Sequence, residues 1–130
     1  MWIFSRLWHS FIVKHRKLKW RCQHFIRGWA DEDTWDIDRW FVETLSPMLK
    51  KFKEDNNGHP FEVSEEEWDK ILDDMICYLE GMTEEGATNQ LYGEGANLTV
   101  DKYKEISNHM VASKEKFFEL FVKYFYDLWW

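Results

Sequence analysis

The sequence predicts an all-α protein, built as a bundle of four main helices. Apolar residues recur every three or four positions along most of the 130 residues, and helix-capping residues precede several of these runs. No segment shows the strict alternation of a convincing β-strand. With 45% hydrophobic and 18% aromatic residues, a chain of this length builds one compact core. We therefore expect a single helical domain over residues 1–130.

Residues 1–28 are predicted to form a long basic helix. A seven-residue repeat of spacings four and three indicates a narrow seam, about 37 Å long, that packs against another helix. Gly28 is the first residue that ends such a helix at low cost. Because the seam needs an apolar partner, we expect a homo-oligomer built partly on this helix. The seam positions are Phe4, Trp8, Phe11, His15, Leu18, Cys22 and Phe25.

Residues 29–80 are predicted to hold two helices. The first begins within the acidic segment from Ala30 to Trp35, whose carboxylates suit a helix N-terminus. Pro47 lies inside its apolar pattern and is expected to kink the helix or to split it. The run Asn56-Asn57-Gly58-His59-Pro60 is typical of a turn and closes this element.

The second helix of this region is expected at residues 65–80. Ser64 and Glu67 form the pattern of a capping box, in which each side chain accepts a hydrogen bond from the other residue's backbone N–H. Gly81 follows the last apolar residue and marks the end of the helix. The apolar stripe between them consists of Trp68, Ile71, Leu72, Met75, Ile76 and Leu79.

Residues 81–98 are predicted to form a mobile, glycine-rich loop, because three of the six glycines fall within residues 82–97 and little periodicity is visible. The last helix is placed in residues 99–130, with its helical pattern running to about Leu128. Its predicted core positions are Tyr103, Ile106, Met110, Phe117, Phe121, Tyr124 and Leu128.

Charge divides the chain sharply. The first 29 residues carry seven Lys and Arg and no acidic residue, which leaves 10 of the 17 basic residues beside all 24 acidic ones. Such a basic segment indicates contact with an anion: nucleic acid, a nucleotide, a lipid surface or the protein's own acidic body. The acidic body repels a long duplex, which argues against long nucleic acid. Cations distributed all round the helix argue against membrane association.

No pattern of an enzyme or metal protein is present. P-loops, nucleophile elbows and dinucleotide fingerprints are missing, and the five His and two Cys residues show no metal-ligand spacing. We therefore predict a non-enzymatic protein without metal or cofactor. Cys22 and Cys77 are too few for a disulfide framework, and no apolar run reaches about 18 residues. These features predict a soluble protein of a reducing cytoplasm.

The predicted binding site combines cations with flat aromatic rings, the pairing that neutralises a phosphate while a base stacks. We place its centre at Arg27 and Trp29, with Trp35 as a second wall. Arg21 and Lys50 are the further cations expected at this site. A small anionic nucleotide suits it, because contacts within a pocket are little affected by charges more than about 10 Å away.

A purely structural role for the same residues is the alternative. In that interpretation Trp29 and Trp35 pack around the turn at Gly28, while Arg27 pairs with Asp31 or Asp38. Deletion of the Arg27 side chain separates the two interpretations, since a structural partner affects folding and a ligand contact does not.

Four segments of the chain, RGWADEDTWDID, PMLKKFK, EEWDKILDDMI and LFVKYFYDLW, resemble a family of small proteins encoded by tailed bacteriophages. The resemblance covers roughly residues 26–129 and supplies no activity. It implies a phage protein that acts in the host cytoplasm. The leading hypothesis is a counter-defence protein that binds and sequesters a nucleotide-derived bacterial immune signal. The alternatives are a protein-directed inhibitor of a host defence enzyme and a structural or assembly accessory of the phage.

Overall fold

A computed structural model describes residues 2–55 and 58–129, with side chains from residue 11 onward. The predicted all-α fold is confirmed, and the described residues contain no strand. Two short 3₁₀ helices, Asp31–Trp35 and Phe125–Asp127, accompany the α-helices. The α-helices are α1 (Trp2–Arg27), α2 (Ile37–Asp55), α3 (Glu65–Gly81), α4 (Glu84–Tyr92) and α5 (Val100–Lys123).

The chain divides into two compact units, where the sequence predicted one domain. Unit 1 is Met1–Trp40 and unit 2 is Phe41–Trp130. Unit 1 consists of α1, a turn and the 3₁₀ helix Asp31–Trp35, together with the first turn of α2. Unit 2 contains the rest of α2 and the bundle of α3, α4 and α5, which contact one another pairwise.

The helix α2 begins later than the sequence predicted. The acidic segment after Ala30 forms the 3₁₀ helix instead, because the Asp33 carboxylate accepts the Ala30 N–H at 2.7 Å and tightens the turn. From Ile37 the helix runs through Pro47 without splitting and ends at Asp55. Within the predicted turn after it, Asn56 and Asn57 lie outside the described residues.

The prediction for α3 is confirmed. The hydroxyl of Ser64 accepts the Glu67 N–H at 3.2 Å, and the Glu67 carboxylate accepts the Ser64 N–H at 2.9 Å. The pKa of Glu67 lies below its usual range because its carboxylate accepts first from the Ser64 N–H and second from the Ser64 hydroxyl, at 3.2 Å. The helix extends one residue beyond the prediction, to Gly81.

The glycine-rich loop predicted at residues 81–98 is wrong for residues 84–92, which form α4, whereas residues 93–98 are not helical. Thr83 caps the helix by accepting the Gly86 N–H at 3.1 Å, and Ala87 is fully buried. Gly86 serves close packing, since a Cβ there would collide with the carbonyl oxygen of Glu80. Gly93 takes φ +80°, which ends the helix. The glycines thus define a helix and its exit, and their number alone was misleading.

The last helix also ends earlier than predicted, at Lys123 rather than near Leu128. Tyr124 is buried edge-on against Trp68, with ring centroids 5.4 Å apart, and the chain continues as a 3₁₀ helix. The indole N–H of Trp68 is itself buried and has no acceptor among the described residues. Tyr103, predicted as a core residue, is 49% exposed.

The core of unit 2 lies between α2, α3 and α5. Phe117 is fully buried there, with its ring 5.2 Å from that of Phe121 and 6.1 Å from that of Phe41. The predicted stripe of α3 provides most of the remaining apolar surface. The buried members are Val42, Leu49, Trp68, Leu72, Met75, Ile76, Leu79, Phe117 and Tyr124.

None of the helices in the described ranges is both long enough and apolar enough to cross a membrane.

Candidate functional site: a cationic cleft on unit 1

The site is built on α1 and the turn that follows it. Gly28 adopts φ +80°, a left-handed conformation that reverses the chain, and its N–H donates to the His24 carbonyl at 2.9 Å. The segment after the turn then folds back along the last turns of α1. This reversal places the 3₁₀ helix Asp31–Trp35 beside side chains of α1.

One carboxylate fixes the turn to the helix. Asp31 accepts from the Gln23 amide at 2.7 Å, from the Arg27 guanidinium and from the Lys19 ammonium at 3.0 Å. Its own N–H donates to the Gln23 side-chain oxygen at 3.0 Å. Hydrogen bonds from Gln23, Arg27 and Lys19, in that order, hold the pKa of Asp31 well below its usual range. Asp31 therefore stays ionised and keeps the turn docked at neutral pH.

Two further contacts extend the same attachment. The ring of Trp20 meets that of Trp35 edge-to-face, with centroids 5.9 Å apart. His24 Nε2 lies 3.3 Å from a carboxylate oxygen of Asp33. The face of α1 that carries these residues is thus covered by the turn.

An open cleft of about 560 Å³ lies along the edge of this attachment. This volume is within the range of about 300–1,000 Å³ that small-molecule sites occupy. Glu32 is its single acidic lining residue. The cleft is lined by Lys14, Lys17, Leu18, Trp20, Arg21, His24 and Glu32.

The charge of the cleft is largely uncompensated. Lys14, Lys17 and Arg21 form no ion pair with any described acidic residue, whereas six other cations do: Lys19, Arg27, Lys50, Lys51, Lys53 and Lys70. The three side chains are exposed and therefore free to meet an anion from solution. The Arg16 guanidinium lies 4.9 Å from the centre of the Trp20 ring, which adds positive charge beside the aromatic wall.

The predicted site residues fall in different places. Arg21 lines the cleft, and Trp35 packs on the Trp20 wall. Arg27 stacks over Trp29 at 3.8 Å, and its Nε donates to the Trp29 carbonyl at 3.0 Å. Lys50 belongs to unit 2, where it pairs with Glu80.

The structural alternative for Arg27 is therefore observed in part. Its guanidinium pairs with Asp31, one of the two partners that the alternative named, and covers the Trp29 ring. Trp29 and Trp35 both stay partly exposed, at 40% and 70%. Because its hydrogen-bonding and stacking surfaces are occupied within the chain, Arg27 is less suited to a phosphate than Arg21.

Of the seven cleft residues only Arg21 was predicted, and the basic residues that sequence reasoning missed are Lys14, Lys17 and His24. A signal for them was present, because positions 14, 17, 21 and 24 follow helical spacing and place four cationic or titratable side chains on one face. The heptad seam drew attention to the neighbouring face instead. No group of three or more His, Cys, Asp or Glu side chains in the described part of the chain is arranged to hold a metal ion.

Comparison with family models, with curated proteins and with solved structures gives no match to this chain. The resemblance to tailed-phage proteins stays a prediction.

Proposed function

We propose that the protein binds a small, nucleotide-type anion in the cationic cleft of unit 1. The observation that supports this proposal is that Lys14, Lys17 and Arg21 line one cleft with Trp20 and have no ion-pair partner in the described structure. Phosphate groups meet ammonium and guanidinium donors there, while the aromatic wall accepts a base or a ribose. Binding, with no chemical step, is the activity that these residue types support.

The net charge of −7 is compatible with such a ligand. At physiological ionic strength charges are screened beyond about 8 Å, so the local cations dominate the affinity for a small anion. A long duplex would extend over acidic surface and be repelled. A small ligand is therefore favoured over long nucleic acid.

The biological role that we propose is sequestration of a nucleotide-derived bacterial immune signal by a phage protein in the host cytoplasm. This step rests on the resemblance of four sequence segments to tailed-phage proteins. A stoichiometric binder without catalysis suits such a role, since it lowers the free concentration of a signal in proportion to its own abundance.

The test is a thermal-shift screen with cyclic oligonucleotides and with adenosine- and nicotinamide-derived nucleotides. We expect at least one to raise the melting temperature, and calorimetry then gives its Kd. Arg21→Ala and Lys17→Ala should each weaken binding by about 10- to 150-fold, because a charge-assisted hydrogen bond contributes about 1.5–3 kcal/mol. Lys114→Ala, which removes an exposed cation from α5, is the charge-matched control and should leave the Kd unchanged.

Two results would contradict the proposal. Absence of a shift with every nucleotide, together with capture of one host protein, favours the protein-directed inhibitor. Loss of binding in Arg27→Ala, with Arg21→Ala and Lys17→Ala unaffected, moves the site from the cleft to the Arg27–Trp29 stack. Circular dichroism of each variant separates loss of binding from loss of folding.

A further inference from the structure

The face of α1 turned away from the docked turn is apolar and exposed. Phe11, Leu18 and Phe25 lie seven residues apart and are 61%, 59% and 93% exposed. Ile12 and Ile26 follow one edge of this stripe, in line with Lys19, and are 40% and 81% exposed. We call these five residues the front face. A run of large apolar side chains at this spacing is the pattern of a helix that packs against another helix.

Charge along the edges of the front face restricts its partner. Lys14 and Arg21 follow one edge, each one residue before a seam position, and neither has an acidic partner in the described structure. Lys19 lies on the other edge, where Asp31 holds it at 3.0 Å. One edge of the front face therefore carries the uncompensated positive charge of Lys14 and Arg21, whereas the other edge is mostly apolar and its one cation, Lys19, is paired with Asp31.

These edges disfavour the pairing of α1 with a second copy of itself. In a parallel coiled coil the flanking position of Lys14 faces that of Lys19 in the other helix, and in an antiparallel one Lys14 can face Arg21. The antiparallel arrangement brings two unpaired cations together, and the parallel one places Lys14 opposite Lys19, whose charge Asp31 offsets in part. The homo-oligomer predicted from the seam stays a prediction, and the structure favours a different occupant for this face.

We propose that the front face of α1 binds an amphipathic helix of another protein, one with apolar residues at its core positions and Asp or Glu along its edges. Apolar residues of that helix would cover Phe11, Leu18 and Phe25, and its carboxylates would meet Lys14 and Arg21. Electrostatic complementarity of this kind selects partners and speeds association. The inference does not depend on nucleotide binding, although the two sites share Lys14, Leu18 and Arg21 and are therefore expected to compete.

The test uses two synthetic peptides of four heptads with Leu at the core positions. One carries Glu at the flanking positions and the other Lys. Fluorescence anisotropy with the full chain should show binding of the Glu peptide alone. Phe25→Ala should weaken it about 30-fold, the effect of truncating one large anchoring side chain. Phe61→Ala, which truncates a fully exposed aromatic residue of unit 2, is the matched control and should bind normally.

Three outcomes would overturn the inference: binding of neither peptide, equal binding of both, or a chain dimer in analytical ultracentrifugation that Phe25→Ala dissociates. A lipid surface is the occupant instead if the protein does not bind the Glu peptide but cosediments with phosphatidylglycerol vesicles, and if Phe25→Ala abolishes that cosedimentation. The nucleotide-induced change in melting temperature distinguishes failure of this inference from failure of the proposed function. Phe25→Ala should retain a nucleotide-induced melting shift, whereas Lys17→Ala should lose that shift and still bind the Glu peptide.

Discussion

Substitution of Gly86 by Ala tests why a glycine-containing segment is helical. Gly86 lies in the first turn of α4, and a Cβ at this position would collide with the carbonyl oxygen of Glu80 at the end of α3. Main-chain atoms cannot rotate aside as a flexible side chain does. The methyl group must therefore push α4 away from α3 and disturb the fully buried Ala87.

Two opposing effects determine the magnitude. Alanine is favoured over glycine in a helix by at most about 1 kcal/mol. Overpacking of a close contact costs roughly 1–3 kcal/mol, and a collision with backbone belongs at the upper end of that range. We expect a net loss of about 1–2 kcal/mol in the free energy of unfolding. For a unit of this size that corresponds to a melting temperature lower by about 4–16 °C.

The assay is chemical denaturation followed by far-ultraviolet circular dichroism, with hydrogen exchange of α4 as a local readout. Asn89→Ala is the control, because it introduces the same residue at an exposed position of the same helix and should be neutral or slightly stabilising. If Gly86→Ala is as stable as the parent chain, the close approach of α3 and α4 does not constrain this position and the reasoning is refuted.

Three further perturbations address other parts of the chain. Phe117→Ala should destabilise unit 2 by about 3–5 kcal/mol, since the side chain is fully buried among aromatic rings; a loss below 1 kcal/mol in urea denaturation would mean that the core is not centred there. Ser64→Ala should cost about 0.5–2 kcal/mol by removing the N-cap of α3, and unchanged exchange of the Glu67 amide would contradict that role. Acid should release the turn from α1, because the pKa of Asp31 is lower in the folded state than in the unfolded state. The stabilisation that the ionised Asp31 contributes is fully present above the ordinary pKa of an aspartate. This stabilisation is lost as the pH falls toward the folded-state pKa. Nuclear magnetic resonance of the Gln23 side-chain amide follows that release, and Asp31→Asn should abolish the titration.

The sequence predicted those helices whose ends are fixed by hydrogen bonds between residues close in the chain. Ser64 and Glu67 are three residues apart, and their reciprocal hydrogen bonds depend on nothing else in the chain, so α3 was placed within one residue. The helix α4 depends on contacts with distant residues. Gly86 is suited to its position only because Glu80 is adjacent in space, and no local pattern records that adjacency.

The candidate site shows the same limit. The cations of α1 were visible in the sequence, but their division between paired and free side chains depends on where the turn after Gly28 docks. That docking assigns Arg27 to Asp31 and leaves Arg21 open. Lys50 was grouped with them because of its charge, whereas it pairs with Glu80 in unit 2.

The unpaired indole of Trp68 gives the protein a natural internal probe. Its ring is only 2% exposed, and its N–H has no acceptor among the described residues, so this proton meets solvent only when the surrounding helices separate. In a proton spectrum an indole N–H without an acceptor resonates upfield of hydrogen-bonded ones. Its rate of deuterium exchange would report the opening of unit 2 by itself. Nine tryptophans make bulk fluorescence ambiguous, and this single resonance resolves that ambiguity without any label.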